Sequence, residues 1–265
     1  MRLSENARNL VPLLRTVTPR GAPRLLYYAA SNLAFRAAGV EGSAATTLQF
    51  RFGSFRIAPN CGDLGTIAEI FLHRPYTTLP EFVPQDGDVC IDVGANIGCV
   101  SIQWRATNHT GKIIAIEPHP STFQRMVANF KLNRLPPIDC VQAAAGDRDA
   151  EADLLTSPHD SMAVVNGGCA GLQKKLPGVE HVRVRCFTID RILAERKVSQ
   201  VNLLKIDVEG YEGHCLRGCD RTLAATSKVV LEFHSEELKT YCTGFLESRG
   251  FTCEARGQIL FGKKA

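Results

Sequence analysis

Four acidic residues stand where apolar, β-branched runs stop. Asp92 closes "VCID", Glu117 closes "IIAIE", and Asp207 and Glu209 fall in "LLKIDVEGYEGHC". Carboxylates so placed can pair with a cation, accept hydrogen bonds from hydroxyl groups or take a proton from one. Histidines are the other candidates for proton transfer: His234 after "VVLEF", His214 after "YEG" and His159 in "SPHDS". His234 ranks first as a base, because it ends an apolar run expected to lie beside the one that carries Asp207. Its bland alternative is to cap the helix that begins near Ser235. His159 lies in a glycine-rich segment that could close over a substrate, and His214 suits packing better than chemistry.

The segment "DVGANIG" passes from a strand end into a helical pattern and leaves several backbone N–H groups free around one point. Gly94 and Gly98 carry no side chain to obstruct a ligand there. A dinucleotide fingerprint would need G-x-G-x-x-G, yet Asn96 takes the place of the second glycine and Asp92 would repel a diphosphate. A ligand bearing positive charge, such as the amino group and sulfonium of S-adenosylmethionine, suits the acid better. Glu117, at the next strand tip, can accept from both ribose hydroxyls of such a nucleoside. In "AAAGDRD" the small residues offer a surface for an adenine ring and Asp147 could reach its exocyclic amine, although the same residues make a good turn. Asp207 and Glu209 would point into the same crevice from a further strand, or form an ion-pair network with Lys205. Asp207, Glu209 and Glu232 could in principle hold a metal ion. Cofactor binding and sheet-edge hydrogen bonds already account for these acids, so no metal is expected. Tyr76, with the segment around Glu69, either forms part of a lid or plugs the sheet edge.

These residues need a scaffold that brings strand ends together, and the chain spells one out. From Val89 onward, β-branched runs ("VCIDV", "KIIAIE", "IDCVQA", "VNLLKID", "KVVLEF") alternate with amphipathic segments, the mark of β-α-β units and a mostly parallel sheet. Pro120 and Ser121 signal a helix start. The stretch from Asp153 to Cys186 breaks the rhythm with a Gly-, Ser- and Pro-rich insertion followed by the alternating "HVRVRCF", and should lie near the site. "FTCEARGQILFGKK" reads as two strands around Gly257, an antiparallel edge. Residues 1–60 form a basic helical and hairpin extension, with "TTLQFRFGSFRIAP" as the hairpin, and residues 61–265 form the main domain.

Composition is that of a globular chain, with 45% apolar and 22% charged residues. A net charge of +4 without basic runs gives no reason to expect nucleic acid. No secretory signal or membrane-spanning run is evident, so the expected location is cytoplasmic and the ten cysteines are expected to be reduced. "LLYYAASNLAFRAAGV" is too short to cross a bilayer and reads as an amphipathic helix, packed on the body or lying on a membrane surface.

The segments "VCIDVGANIG", "IIAIEPHPSTFQRMVANFKLN", "AAAGDRDA" and "LLKIDVEGYEGHCLRG" followed by "VVLEFH" resemble the FkbM family of S-adenosylmethionine-dependent methyltransferases, over roughly Asp63 to Phe261. The resemblance implies an α/β, class I, Rossmann-like fold with a mostly parallel seven-stranded sheet and helices on both faces. It implies S-adenosylmethionine as cofactor and a hydroxyl group, often of a sugar or natural product, as acceptor. Carried over by position, Asp92, Gly94, Asn96 and Gly98 would hold the methionine end, Glu117 the ribose, and Asp207 with Glu209 would line the methyl-transfer site. Tyr76, His159 and Glu209 are the candidates for contact with the acceptor. The chain departs from the family pattern after "YE", where "GHC" stands, which blurs the acceptor. Competing readings are an N- or carboxyl-methyltransferase, a scaffold without turnover and an NAD-dependent enzyme. A homodimer through the amino-terminal segment is a reasonable expectation.

Overall fold

The computed structural model describes residues 12–38, 45–58, 62–157, 160–165 and 180–264. Its centre is a seven-stranded sheet. The parallel part is built from β3 (Cys90–Val93), β4 (Ile113–Ile116), β5 (Asp139–Val141), β10 (Val201–Ile206) and β11 (Thr226–Glu232). The hairpin β12 (Thr252–Arg256) and β13 (Ile259–Lys263) closes one edge, β13 running antiparallel to β11. Numbered by order of appearance within this sheet, the strands lie 3-2-1-4-5-7-6, so the winding reverses between β3 and β10. At such a reversal the strand tips part and leave a crevice.

The central strands read as unbroken apolar runs because both of their faces are covered. Ile113 and Ala115 of β4 belong to one buried cluster, and Ile114 and Ile116 belong to the other. The first face is covered by α2 (Asp63–Ala68), α3 (Cys99–Arg105) and α4 (Pro120–Leu132), whose Ile67, Val100, Trp104, Met126 and Phe130 are buried there. The second is covered by α5 (Ile189–Glu195), α6 (Glu212–Arg217), α7 (Asp220–Ala224) and α8 (Glu236–Glu247), through residues such as Ile192, Leu216, Leu223 and Leu246. Pro120 is the first residue of α4 as its type demands, but the cap is His119, whose ring accepts from Thr122 N. Ser235, not His234, caps α8 by accepting from Leu238 N.

Ahead of the sheet lie α1 (Ala22–Ala38) and the hairpin β1 (Thr46–Phe50)–β2 (Gly53–Ile57). Leu48, Phe55 and Ile57 of the hairpin share one buried cluster with α3 and α4. Asn129 of α4 and Asn133, at the helix's C-cap, hold β2 by its backbone, accepting from Arg56 N and Ser54 N respectively. The stretch that departs from the β-α rhythm contributes β7 (Ala150–Ser157), β8 (Asp160–Val165) and β9 (Glu180–Phe187), which join β6 (Ala144–Ala145) in a separate four-stranded sheet.

The described cysteines form no disulfide. Cys215 and Cys219 fall on either side of a helix break: Cys215 lies in α6 and Cys219 precedes α7. No helix among the described residues is long and apolar enough to cross a membrane.

Candidate active site

The turn from β3 to α3 passes through three left-handed residues, Gly94 (φ 73°), Asn96 (φ 50°) and Gly98 (φ 87°). Gly94 N and Ala95 N both donate to Ile116 O, at 3.0 and 2.9 Å, which ties the tip of β3 to the tip of β4. The sequence suggested that these glycines are bare for the sake of a ligand, but the structure gives another reason. A Cβ on Gly94 would lie 1.7 Å from the backbone oxygen of Asp207, and one on Gly98 would lie 2.5 Å from the Phe130 ring. Both are glycine because the chain itself comes that close.

A cavity opens beside this turn at the tips of β3, β4 and β10. Gly94, Asn96, Glu117, Asp207 and Glu209 line it, with Ala143, Ala144 and Ala145 as a floor of small residues. Asn96 Oδ1 is buried without a hydrogen-bond partner, and the backbone N–H of the same residue donates to Glu117 Oε2 at 3.0 Å. Glu117 Oε1 accepts from His119 N at 2.8 Å. Burial outweighs these bonds and raises the Glu117 pKa to about 7.

Asp92, Gly98 and Asp147, expected around the ligand, do not line the cavity. Asp92 is fully buried beneath it, accepting from Ser101 Oγ at 2.7 Å and facing Lys205 Nζ at 3.2 Å. It faces a lysine because β10 pairs with β3 in the sheet and places Lys205 directly opposite Asp92, so that both side chains leave the same face. The Lys205 ammonium also reaches Gly94 O at 2.8 Å and Asp207 Oδ2 at 3.4 Å. Burial would lower its pKa, but Asp92 and Asp207 outweigh that and hold it above the ordinary lysine value. Lys205 thus anchors an ion-pair network, but with Asp92 and Asp207 rather than with Asp207 and Glu209 as weighed from sequence; Glu209 pairs with His234 instead, and the Lys205 network braces the tips of β3 and β10. Asp147 is turned outward to His214 Nδ1 at 2.8 Å and Arg217 at 3.3 Å, and His214 stacks on Tyr211. His159 lies outside the described residues.

Behind Asp207 and Glu209 lie residues of β11 and of the turn after α2; Tyr76 and His234, expected at the acceptor, are among them and do not themselves line the cavity. Tyr76 is buried, and its hydroxyl faces Asp207 Oδ2 at 3.0 Å and Glu232 Oε2. Burial, then the charge of Asp207, lifts Glu232 to about 7, and the same two causes lift the Tyr76 phenol well above its ordinary value. Glu69 is raised by burial and by Asp207 as well. It lies in a π-helical turn, Glu69–His73, of the kind found where a helix is distorted to place a group. His234 Nε2 faces Glu209 Oε2 at 3.1 Å and Asp207 Oδ1 at 4.0 Å, while Nδ1 faces Glu212 Oε1 at 2.9 Å. Burial would lower the imidazole's pKa, but its bonds to Glu209 and Glu212 push it up to about 11. His234 is thus an imidazolium at neutral pH, clamped between two acids. Glu209 adopts φ 53°, a conformation uncommon outside glycine and tolerated where its surroundings hold it.

Glu212 was not singled out from sequence, although it is fully buried and orients His234. Its position as the acid of "YEG", in the first turn of a helix, was the available signal. Asp207, Glu209 and His234 each offer one atom within 4.8 Å of the others, a spacing that could hold a metal ion. Glu232, placed in that set by the sequence, is instead engaged by Tyr76.

A doubly wound sheet with an antiparallel edge hairpin, carrying an acid at the second strand tip and further acids at the fourth, has the architecture of class I, Rossmann-like methyltransferases. Residues 92–253 match the family model for the methyltransferase FkbM domain, more than half of the chain, and the chain belongs to the FkbM methyltransferase family. It is 30% identical over 200 residues to 31-O-demethyl-FK506 methyltransferase FkbM of Streptomyces tacrolimicus, covering 66% of this chain and 76% of that one. Methyltransferase 1 of Beauveria bassiana is 29% identical over 200 residues, covering 69% and 78%. The hexuronic acid methyltransferase AglP of Haloferax volcanii is 26% identical over 154 residues, covering 57% and 58%. S-adenosylmethionine is the methyl donor that membership brings. The cavity fits it: an unpartnered buried acceptor on Asn96, a carboxylate on Glu117 and an alanine floor match its amino group, ribose and base.

Proposed function

We propose that this protein is an O-methyltransferase that moves the methyl group of S-adenosylmethionine to a hydroxyl of a small sugar-like or natural-product acceptor. The observation that carries this reading is one continuous cavity whose walls change from a nucleoside surface to a proton-accepting one. Glu117 and the alanine floor form the first part, and Asp207 and Glu209 form the second. Glu117 accepts the ribose hydroxyls, Asn96 Oδ1 and the Gly94 backbone receive the methionine end, and Ala143–Ala145 carry the base. The relatives' names, which include a 31-O-demethyl-FK506 methyltransferase and a hexuronic acid methyltransferase, support a hydroxylated acceptor.

When bound, the cofactor supplies an electrophilic methyl group on a sulfonium. The protein's share is to align the acceptor oxygen and to receive its proton. His234, first in the sequence reading, is already protonated and its two nitrogens are occupied. Glu209 takes the role of base instead. Burial raises its pKa above that of an ordinary carboxylate, and the His234 imidazolium holds its Oε2, leaving the other oxygen for the acceptor hydroxyl. Asp207, fixed by Lys205 and Tyr76, accepts a hydrogen bond from the same hydroxyl or its neighbour.

The test is turnover on a panel of hydroxylated, amino and carboxylated acceptors, with products located by mass spectrometry. Methyl ethers are expected, and methylamines or methyl esters as the main products would contradict the reading. Chelator treatment leaves turnover unchanged in this scheme. Loss restored by a divalent cation would make Asp207, Glu209 and His234 a metal site.

A further inference from the structure

The first helix exposes the wrong kind of surface for water. Leu25 and Tyr28 of α1 are buried in the cluster shared with the hairpin, while Leu26 and Tyr27 stand 74% and 57% exposed. Ala22, Pro23, Ala29 and Ala30 are exposed on the same helix. A solvated helix face is ordinarily charged, but here the single charged residue of the first turns is Arg24. Leu14, 43% exposed, precedes this helix in the chain. Arg15 and Arg20, in the segment between it and the helix, are exposed as well. The chain from residue 6 to residue 40 contains five arginines (Arg8, Arg15, Arg20, Arg24, Arg36) and no acid.

We propose that this face lies on an anionic lipid bilayer, with Leu14, Leu26 and Tyr27 in the headgroup–acyl boundary and Arg15, Arg20 and Arg24 on lipid phosphates. Charge complementarity chooses this occupant. A second copy of the chain would bring the same arginines against one another without an acid in the segment to pair them, whereas a phosphate surface pairs every one. The chemistry of the apolar residues agrees, since tyrosine and leucine flanked by arginine are favoured at a membrane interface. No helix among the described residues is long and apolar enough to span, so the contact is superficial.

Sedimentation of the full-length protein with vesicles tests this. Binding is expected to vesicles that mix phosphatidylglycerol with phosphatidylcholine, to be weak on phosphatidylcholine alone and to be reversed by high salt. Leu26→Glu with Tyr27→Glu, and separately Arg20→Glu with Arg24→Glu, should each lower the partition coefficient by about 10-fold or more. These positions are exposed, so circular dichroism and S-adenosylmethionine binding should match the parent. Equal binding to both vesicle types, or binding that survives both double variants, would overturn the proposal. So would a parent that ignores vesicles but forms a dimer in solution that Leu26→Glu dissolves.

Discussion

Glu117 is held by two backbone N–H groups in a nearly closed environment, and burial lifts its pKa from an ordinary 4.5 to about 7. Two opposite pH dependences follow. In the free protein the raised pKa makes the protonated form the stabilising one: its contribution is full below about 4.5 and is lost as pH rises through about 7. Glu117→Gln is therefore expected to raise the melting temperature of the free protein at alkaline pH. Cofactor binding runs the other way, because the ribose hydroxyls need the carboxylate, so affinity should rise as pH passes through about 7. Calorimetric titration of Glu117→Gln should show affinity weakened by roughly 10- to 100-fold, the range for loss of a charged hydrogen-bond acceptor, with the pH dependence gone. Unchanged affinity would place the nucleoside elsewhere. At the reacting end, Glu209→Gln removes the proposed base and should lower kcat by roughly 10² to 10⁴-fold. His234→Gln, which keeps a polar group but not the positive charge, should lower kcat with little change in cofactor affinity. An intact kcat in His234→Gln would remove the imidazolium from the account.

At the scale of elements, the site depends on how closely the tip of β3 meets the tip of β10. Gly94→Ala forces a methyl into the Asp207 carbonyl and a non-glycine residue to φ 73°. The expected cost is about 2 to 5 kcal/mol in denaturant unfolding, from backbone strain and overpacking together. Lys205→Met leaves Asp92 buried without its cation and should cost about 3 to 5 kcal/mol. A cost under about 1 kcal/mol for either would mean that the tips are not braced as described. The central strands were legible because burial on both faces forces continuous apolar runs, and the edge hairpin because Gly257 sits between two strand patterns. Glu117, Asp207 and Glu209 were legible as acids that interrupt such runs at their ends. The reason for Gly94 was not, since Asp207 is remote in sequence and only the fold brings its carbonyl there. Asp147 was drawn to the ligand by its place after a strand, but His214 and Arg217 of α6 turn it away. Likewise "HVRVRCF" announced a strand, while its partner β7 could not be read, because their antiparallel register (Leu154 opposite Val182) spans a long intervening segment.

At the scale of the molecule, the amino-terminal hairpin supports the site. Phe52 stacks on Phe71 at 4.2 Å and Phe55 meets the same ring edge-on at 5.4 Å. Phe71 belongs to the π-helical turn that carries Glu69 and leads to Tyr76. The hairpin thus buttresses the segment whose Tyr76 hydroxyl faces Asp207. Phe55→Ala, at a fully buried position, is expected to cost about 3 to 5 kcal/mol and to depress turnover through this turn. Removing the hairpin altogether should give an insoluble chain, since it would uncover the cluster shared by α3 and α4. A stable, active truncation lacking it would show that the two parts are independent. The central claim is that the reversal of winding between β3 and β10 gathers nucleoside-binding and proton-accepting residues into one cavity. A crystal structure with S-adenosylhomocysteine tests it most directly. The account predicts ribose hydroxyls on Glu117, the base over Ala143–Ala145, the amino group at Asn96 Oδ1 and the sulfur turned toward Asp207 and Glu209. A nucleoside lodged in another cavity, or a Glu117 carboxylate turned away from the ribose, would contradict it.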